Sequence, residues 1–227
     1  MPPYFPTIVS HRGLCDELPL VENSQEAFIA AASAGFPAEC DVWTSSDGEP
    51  VVIHDATLDR TSFGTGPVSA HSSSELRKIR LRTPDGSEAT VPMLRDVASH
   101  VAYIEVKPAD APELVTKVIR IMAGRKWKLL SFDPANLRNA GRIDPSIPVV
   151  LLVNELRNLE TAIANKWPIY LEHSLLTDSI ASGIRDAGSS IGVWTVDREK
   201  DLRRILPMRP DVIISNMPRM IQKLIRQ

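Results

Sequence analysis

Three carboxylates, two histidines and two cations stand at spacings that suit cation binding and proton transfer. In Ala38-Glu39-Cys40-Asp41-Val42 one residue separates the acids. Side chains alternate along a strand, so Glu39 and Asp41 share one face and Cys40 and Val42 the other. The same rule pairs Glu105 with Lys107 in Tyr103-Ile104-Glu105-Val106-Lys107. Carboxylates aimed into a sheet or barrel need a cation, a partner or a proton, because burying them unpaired is costly. A solvated strand face and a simple Glu105–Lys107 salt bridge are the ordinary alternatives for each pair taken alone. Taken with the histidines, a hard-cation site with oxygen ligands accounts for them better. Glu39, Asp41 and Glu105 suit Mg²⁺ or Ca²⁺, and no Cys/His cluster has zinc spacing.

His11 closes the apolar run before Arg12-Gly13, and His54 closes Val51-Val52-Ile53 before Asp55. An imidazole titrates near neutral pH and suits proton transfer to and from ester oxygens. His71, His100 and His173 lack comparable surroundings and read as surface or packing residues. Phe132 and Trp194 fall at or just before strand ends. They read as barrel core or as an apolar wall for a ligand, with Trp194 able to face a quaternary ammonium.

Short apolar runs must position these groups. Strands are expected over 7–10, 38–42, 51–54, 101–106, 128–131, 149–153, 169–172, 191–196 and 211–215. Helical spacing appears over 24–34, 111–122, 177–187 and 199–206, with Gly35, Gly188 and Pro207 as stops. Strands alternating with helices of this length argue for βαβ units and a parallel sheet, open or closed. Residues 58–92 read as an elaborated connection over one end, with a short helical segment at 74–79. A chain of 227 residues, 43% apolar and 24% charged, is expected to be one domain over 1–227. Its net charge of −2 supplies no basic field for nucleic acid. Apolar runs fall far short of the roughly 20 residues that span a bilayer, so no stable membrane insertion is expected. Residues 1–10 carry no leader pattern. Two cysteines do not make a disulfide scaffold, and a cytoplasmic enzyme with reduced thiols is the expectation.

The ordered set His11-Arg12-Gly13, Glu22-Asn23-Ser24, Glu39-x-Asp41, Asp47-Gly48, Val52-Ile53-His54-Asp55 and Leu58-Asp59-Arg60-Thr61 resembles glycerophosphodiester phosphodiesterases. Gly64-x-Gly66-x-Val68, Val91-Pro92-x-Leu94, Ile104-Glu105-x-Lys107, Ser131-Phe132 and Val193-Trp194-Thr195 extend it over nearly the whole chain. The resemblance implies a TIM (β/α)8 barrel, with a small elaborated connection after the second strand and the site at the C-terminal strand ends. It implies one divalent cation on Glu39, Asp41 and Glu105, and His11 and His54 as an acid–base pair. Arg12 and Lys107 would contact phosphate, and Glu22 would support the site. The implied substrate is a small phosphodiester such as glycerophosphocholine or glycerophosphoethanolamine, cut to glycerol 3-phosphate and an alcohol. A sphingomyelinase D-like phospholipase forming a cyclic phosphate, or a non-catalytic metal-binding scaffold, is the alternative. The sequence leaves open the head group, the choice of cation, which histidine is the acid and the oligomeric state. Ser24, Met93 and Asn216 depart from the family's usual Thr, Thr and Asp. No role is assigned to Asn216.

Overall fold

A computed structural model describes residues 4–227; residues 1–3, the start of the stretch read above for a leader, lie outside the described residues. The chain runs β1 (Thr7–Ser10), α1 (Gln25–Ser33), β2 (Glu39–Thr44), β3 (Pro50–Val52), α2 (Ser73–Leu76), α3 (Leu94–Val97) and β4 (Tyr103–Val106). Then follow α4 (Pro112–Met122), β5 (Lys128–Ser131), α5 (Pro134–Ile143), β6 (Val149–Val153), α6 (Leu159–Ala164) and β7 (Ile169–Glu172). The last turns of the pattern are α7 (Asp178–Asp186), β8 (Ile191–Trp194), α8 (Glu199–Ile205), β9 (Val212–Ser215) and α9 (Pro218–Ile225).

Parallel ladders link β1 to β9, then each strand in turn down to β4 and β2. A parallel bridge between Ser10 and Ala38 returns β2 to β1 and closes the ring. Apolar runs such as 149–153 suit this closure, because helices cover the outer face of a parallel barrel and side chains fill the inner one. Val9, Leu130, Val150, Leu152, Tyr170 and Ile214 form part of the interior cluster. Gly192 makes room for it. A Cβ there would lie 2.3 Å from the Tyr170 ring, which is fully buried.

The expected helices form with the caps their sequences carry. Ser24 accepts from the Ala27 amide ahead of α1, and Thr177 from the Ile180 amide ahead of α7. Gly35, at φ +80°, ends the first of them in the left-handed conformation that glycine allows.

The third apolar run behaves differently from the other strands. It pairs antiparallel with β2, through Val42–Val52 and Thr44–Pro50, beside the barrel rather than within it. Residues 45–49 are too few for a parallel crossover and suffice for a hairpin; the turn is tied by Gly48 N–H donating to Ser45 O at 2.9 Å. β3 ends at Val52, so His54 leaves from a loop beside the barrel and not from a strand end. Residues 58–92 then fold over an apolar cluster in which Leu58, Val68, Leu76 and Val91 meet Val21, Val51, Ile53 and Met93. Met93, which departs from the family's usual Thr, is buried in that cluster and needs no polar partner. Among the described residues, no helix is long and apolar enough to cross a membrane.

Candidate active site

Glu39 and Asp41 point inward from β2, and Glu105 does so from β4, where Asp41 and Glu105 are register partners. All are nearly sealed from solvent, at 3%, 1% and 8% exposure. One oxygen from each lies within 4.8 Å of the others. Their compensation is partial. Lys107 Nζ stands 2.9 Å from Glu105 and 3.4 Å from Asp41, while Arg12 Nε is 3.3 Å from Asp41. The Arg12 amide donates to Glu39 Oε2 at 3.1 Å, and Asn23 Nδ2 donates to Asp41 Oδ2 at 2.8 Å. Asp41 Oδ1 and Glu105 Oε1 are buried without a well-angled hydrogen bond. Burial, then Asp41 and Glu105, push Glu39 well above the usual carboxylate range. Burial and Asp41 raise Glu105 to about 7. Burial also works against ionised Asp41, yet Lys107 and Arg12 together hold it below its ordinary value.

A divalent cation fits this donor set. Hard cations take oxygen ligands at about 2.0–2.6 Å, so two of their ligands stand no more than about 5 Å apart. The carboxylate groups already meet that spacing, and two of their buried oxygens, Asp41 Oδ1 and Glu105 Oε1, have the single Lys107 ammonium as their shared ion-pair partner.

The turn after β1 carries Arg12 and Gly13 at φ +54° and +86°. Gly13 is required twice over, since a Cβ there would also sit 2.7 Å from Ala27. This turn aims His11 and Arg12 at the cavity from one short segment. His11 Nδ1 lies 2.7 Å from Asn216 Oδ1. Asn216 is itself oriented, because its Nδ2 and backbone amide donate to the Asp197 carboxylate at 2.7 and 2.8 Å. Its oxygen therefore faces His11 as an acceptor, which places the imidazole proton on Nδ1. Nε2 is left 4.0 Å from Glu39. Burial and then Arg12 push His11 down to about 4.

His54 has a different partner. Its Nδ1 is 2.7 Å from Asp55 Oδ1. Hydrogen bonding from Arg60 holds Asp55 down to about 2, so the carboxylate stays ionised and accepts the His54 proton. The Trp43 indole donates to His54 O at 2.9 Å and fixes the loop that carries it.

These groups meet at a cavity of about 100 Å³ lined by His11, Arg12, Glu39, His54, Glu105 and Lys107. Its apolar side is Leu130, Phe132, Leu152, Trp194 and Ile214. Phe132 and Trp194 pack edge to face at 5.4 Å, and the Trp194 indole donates to Tyr170 O at 2.9 Å. Glu22 stands one step back, accepting from Arg12 Nη1 at 3.0 Å. A larger hollow of about 670 Å³ opens at the other end of the barrel around Trp127 and Lys128, and shares none of the site residues. His71 and His173 are elsewhere, against Thr65 O and beside Arg204. Sequence reasoning missed Asn23, Asp55, Arg60, Asp197 and Asn216 as site residues. Asn23, Asp55 and Arg60 sit inside quoted motifs, whereas nothing around Asp197 marked it.

The polar cavity lies at the C-terminal rim of the barrel, the face on which TIM-barrel enzymes carry their active sites. The chain belongs to the glycerophosphoryl diester phosphodiesterase family, which it matches over residues 11–220. It is 26% identical to a glycerophosphodiester phosphodiesterase of Caldanaerobacter subterraneus subsp. tengcongensis, over 97% of this chain and 98% of the relative. A phosphodiesterase of Oleispira antarctica, solved in complex with sn-glycerol-3-phosphate, superposes with a TM-score of 0.87 at 23% identity, covering 98% of this chain and 97% of that one. A glycerophosphodiester phosphodiesterase of Agrobacterium tumefaciens gives 0.79 at 27% identity, covering 96% and 100%.

Proposed function

We propose that the protein hydrolyses water-soluble glycerophosphodiesters, such as glycerophosphocholine or glycerophosphoethanolamine, to glycerol 3-phosphate and an alcohol. The observation that carries this reading is the pair of differently backed histidines facing one cavity with the three carboxylates. Glu39, Asp41 and Glu105 would hold one divalent cation, Mg²⁺ or Ca²⁺. Such an ion supplies Lewis-acid polarisation of a phosphoryl oxygen. Arg12 and Lys107 bind the phosphate and stabilise charge that grows on its oxygens as the ester bond breaks.

His11 is backed by a neutral amide, with Nε2 free of its proton, and suits the base. It takes the proton from the attacking hydroxyl, supplied by water or by the substrate's own glycerol. His54 lines the same cavity with its Nδ1 held by the Asp55 carboxylate, and suits the acid. It returns a proton to the leaving alkoxide, a poor leaving group without one. Glu22 keeps Arg12 in place, and Phe132 and Trp194 form the wall against the glycerol or head group. Free, buried Cys15 and Cys40 accord with a cytoplasmic setting.

The test is turnover of both diesters with and without EDTA, with products followed by phosphorus NMR. Glycerol 3-phosphate that disappears on chelation supports the reading. Undiminished turnover in EDTA sinks its metal part, and a cyclic phosphate from a lipid substrate moves the enzyme to the phospholipase class.

A further inference from the structure

We propose that Arg60 is a positioning residue that locks the His54 side of the cavity to the Arg12 side; the proposal rests on the roles just given to those two residues. The Arg60 guanidinium lies between two carboxylates and grips each with two hydrogen bonds. Nε and Nη2 donate to Asp55 at 2.6 and 3.1 Å, and Nη1 and Nη2 donate to Glu22 at 3.0 and 2.6 Å. Each carboxylate has a second task. Asp55 holds His54 Nδ1 at 2.7 Å, and Glu22 holds Arg12 Nη1 at 3.0 Å. A continuous chain of charge-assisted hydrogen bonds therefore runs from His54 through Asp55, Arg60 and Glu22 to Arg12.

The two sides come from separate pieces of chain. Arg12 and Glu22 lie between β1 and α1, while His54, Asp55 and Arg60 lie beyond β3, outside the barrel ladder. Arg60 joins their polar groups across 38 positions of sequence, beside the apolar packing of Val21 with Ile53 and Leu58. Its worth lies in geometry more than in stability, because it is half exposed, at 48%, and exposed ion pairs contribute little to folding. A planar guanidinium can hold two carboxylates at a fixed angle, which a lysine ammonium cannot. The fork is itself anchored. Leu58 and Ser62 on either side are fully buried, and Ser62 Oγ donates to Leu58 O at 2.7 Å. Without Arg60, two ionised acids face each other with nothing between them and turn apart, taking His54 and Arg12 with them.

The deciding measurement is the ring nitrogen spectrum of histidine-labelled protein, read for wild type and Arg60→Ala. Wild type should show His54 in one Nδ1-protonated hydrogen-bonded form, and Arg60→Ala a loss of that signature. In parallel, Arg60→Ala should lower kcat/KM by about ten- to a hundredfold, the usual effect of losing a group that orients an active-site ligand. Guanidinium ion, well below denaturing concentration, should restore part of that activity, and urea should not. Should Arg60→Ala fail to fold, Arg60→Lys carries the same test, because it keeps a charge but not the double fork. An unchanged His54 spectrum overturns the proposal whatever the activity. A wild-type enzyme that turns over no glycerophosphodiester removes the functional reading, and the His54 spectrum still decides on the clamp.

Discussion

Glu39→Gln should make the metal-free protein more stable and the metal-loaded protein less so. The three carboxylates place one oxygen each within 4.8 Å of the others. At an effective dielectric constant of about 20, two unit charges at that distance repel by roughly 3.5 kcal/mol. Arg12 and Lys107 offset most of this, and the upward shift of Glu39 means that proton uptake relieves more. What is left for the substitution to recover is about 1 kcal/mol, or a rise of about 2–4 °C in Tm for a chain of this size. The glutamine keeps the shape of Glu39 and an oxygen for the Arg12 amide, so the substitution opens no cavity. Thermal melts in EDTA and in excess Mg²⁺ or Ca²⁺ read the effect. Wild type should gain stability with the cation, by about 2.7 kcal/mol when it stands at a hundred times its Kd, and Glu39→Gln should lose most of that gain. A variant that melts lower than wild type in EDTA, with the same cation-induced rise, would show that Glu39 is a structural acid and no ligand.

His11→Ala and His54→Ala should each lower kcat by about a hundredfold or more while the cation-induced rise in Tm persists; near wild-type turnover in either marks that histidine as structural. Trp194→Ala should raise KM for a choline ester more than for an ethanolamine ester, by about 0.5–2 kcal/mol, and equal losses would make Trp194 packing alone. Gly192→Ala forces a methyl into the Tyr170 ring, so chemical denaturation should show a loss of about 1–3 kcal/mol, and an unchanged midpoint would mean the barrel interior yields there. Burial, then Asp16, raise Cys15 from 9.0 to about 12. The contribution of this protonated thiol is full below pH 9 and lost as pH rises towards 12, so Cys15→Ser should flatten the alkaline fall in stability seen by denaturation at stepped pH.

The barrel strands were legible because each is a short apolar run bounded by turn residues, and a parallel barrel demands that of its sequence. The third run met the same criterion and still joined the sheet by its side. Nothing in Val51-Val52-Ile53 distinguishes a hairpin partner from a barrel strand. The short connection before it, residues 45–49 between β2 and β3, does, once its length is weighed against the dozen or so that a parallel crossover needs. The site divides along a similar line. Glu39 with Asp41, and Glu105 with Lys107, were legible as pairs because two-residue periodicity puts each pair on one strand face; the β2–β4 register then brings the two faces together. The groups that hold the cavity's side chains come from contacts no local period encodes: Asn216 meets His11 across 205 positions, and Arg60 meets Glu22 across 38. Asn216 is the instructive case. As a departure from the family's Asp it looked like a lost charge, but the carboxylate is still present in Asp197, one hydrogen bond further from His11. Interposing an amide turns a charged partner for the imidazole into a neutral one. That difference separates the surroundings of His11 from those of His54, whose carboxylate is in direct contact, and it is what allows two chemically identical side chains at one cavity to be given opposite proton-transfer roles.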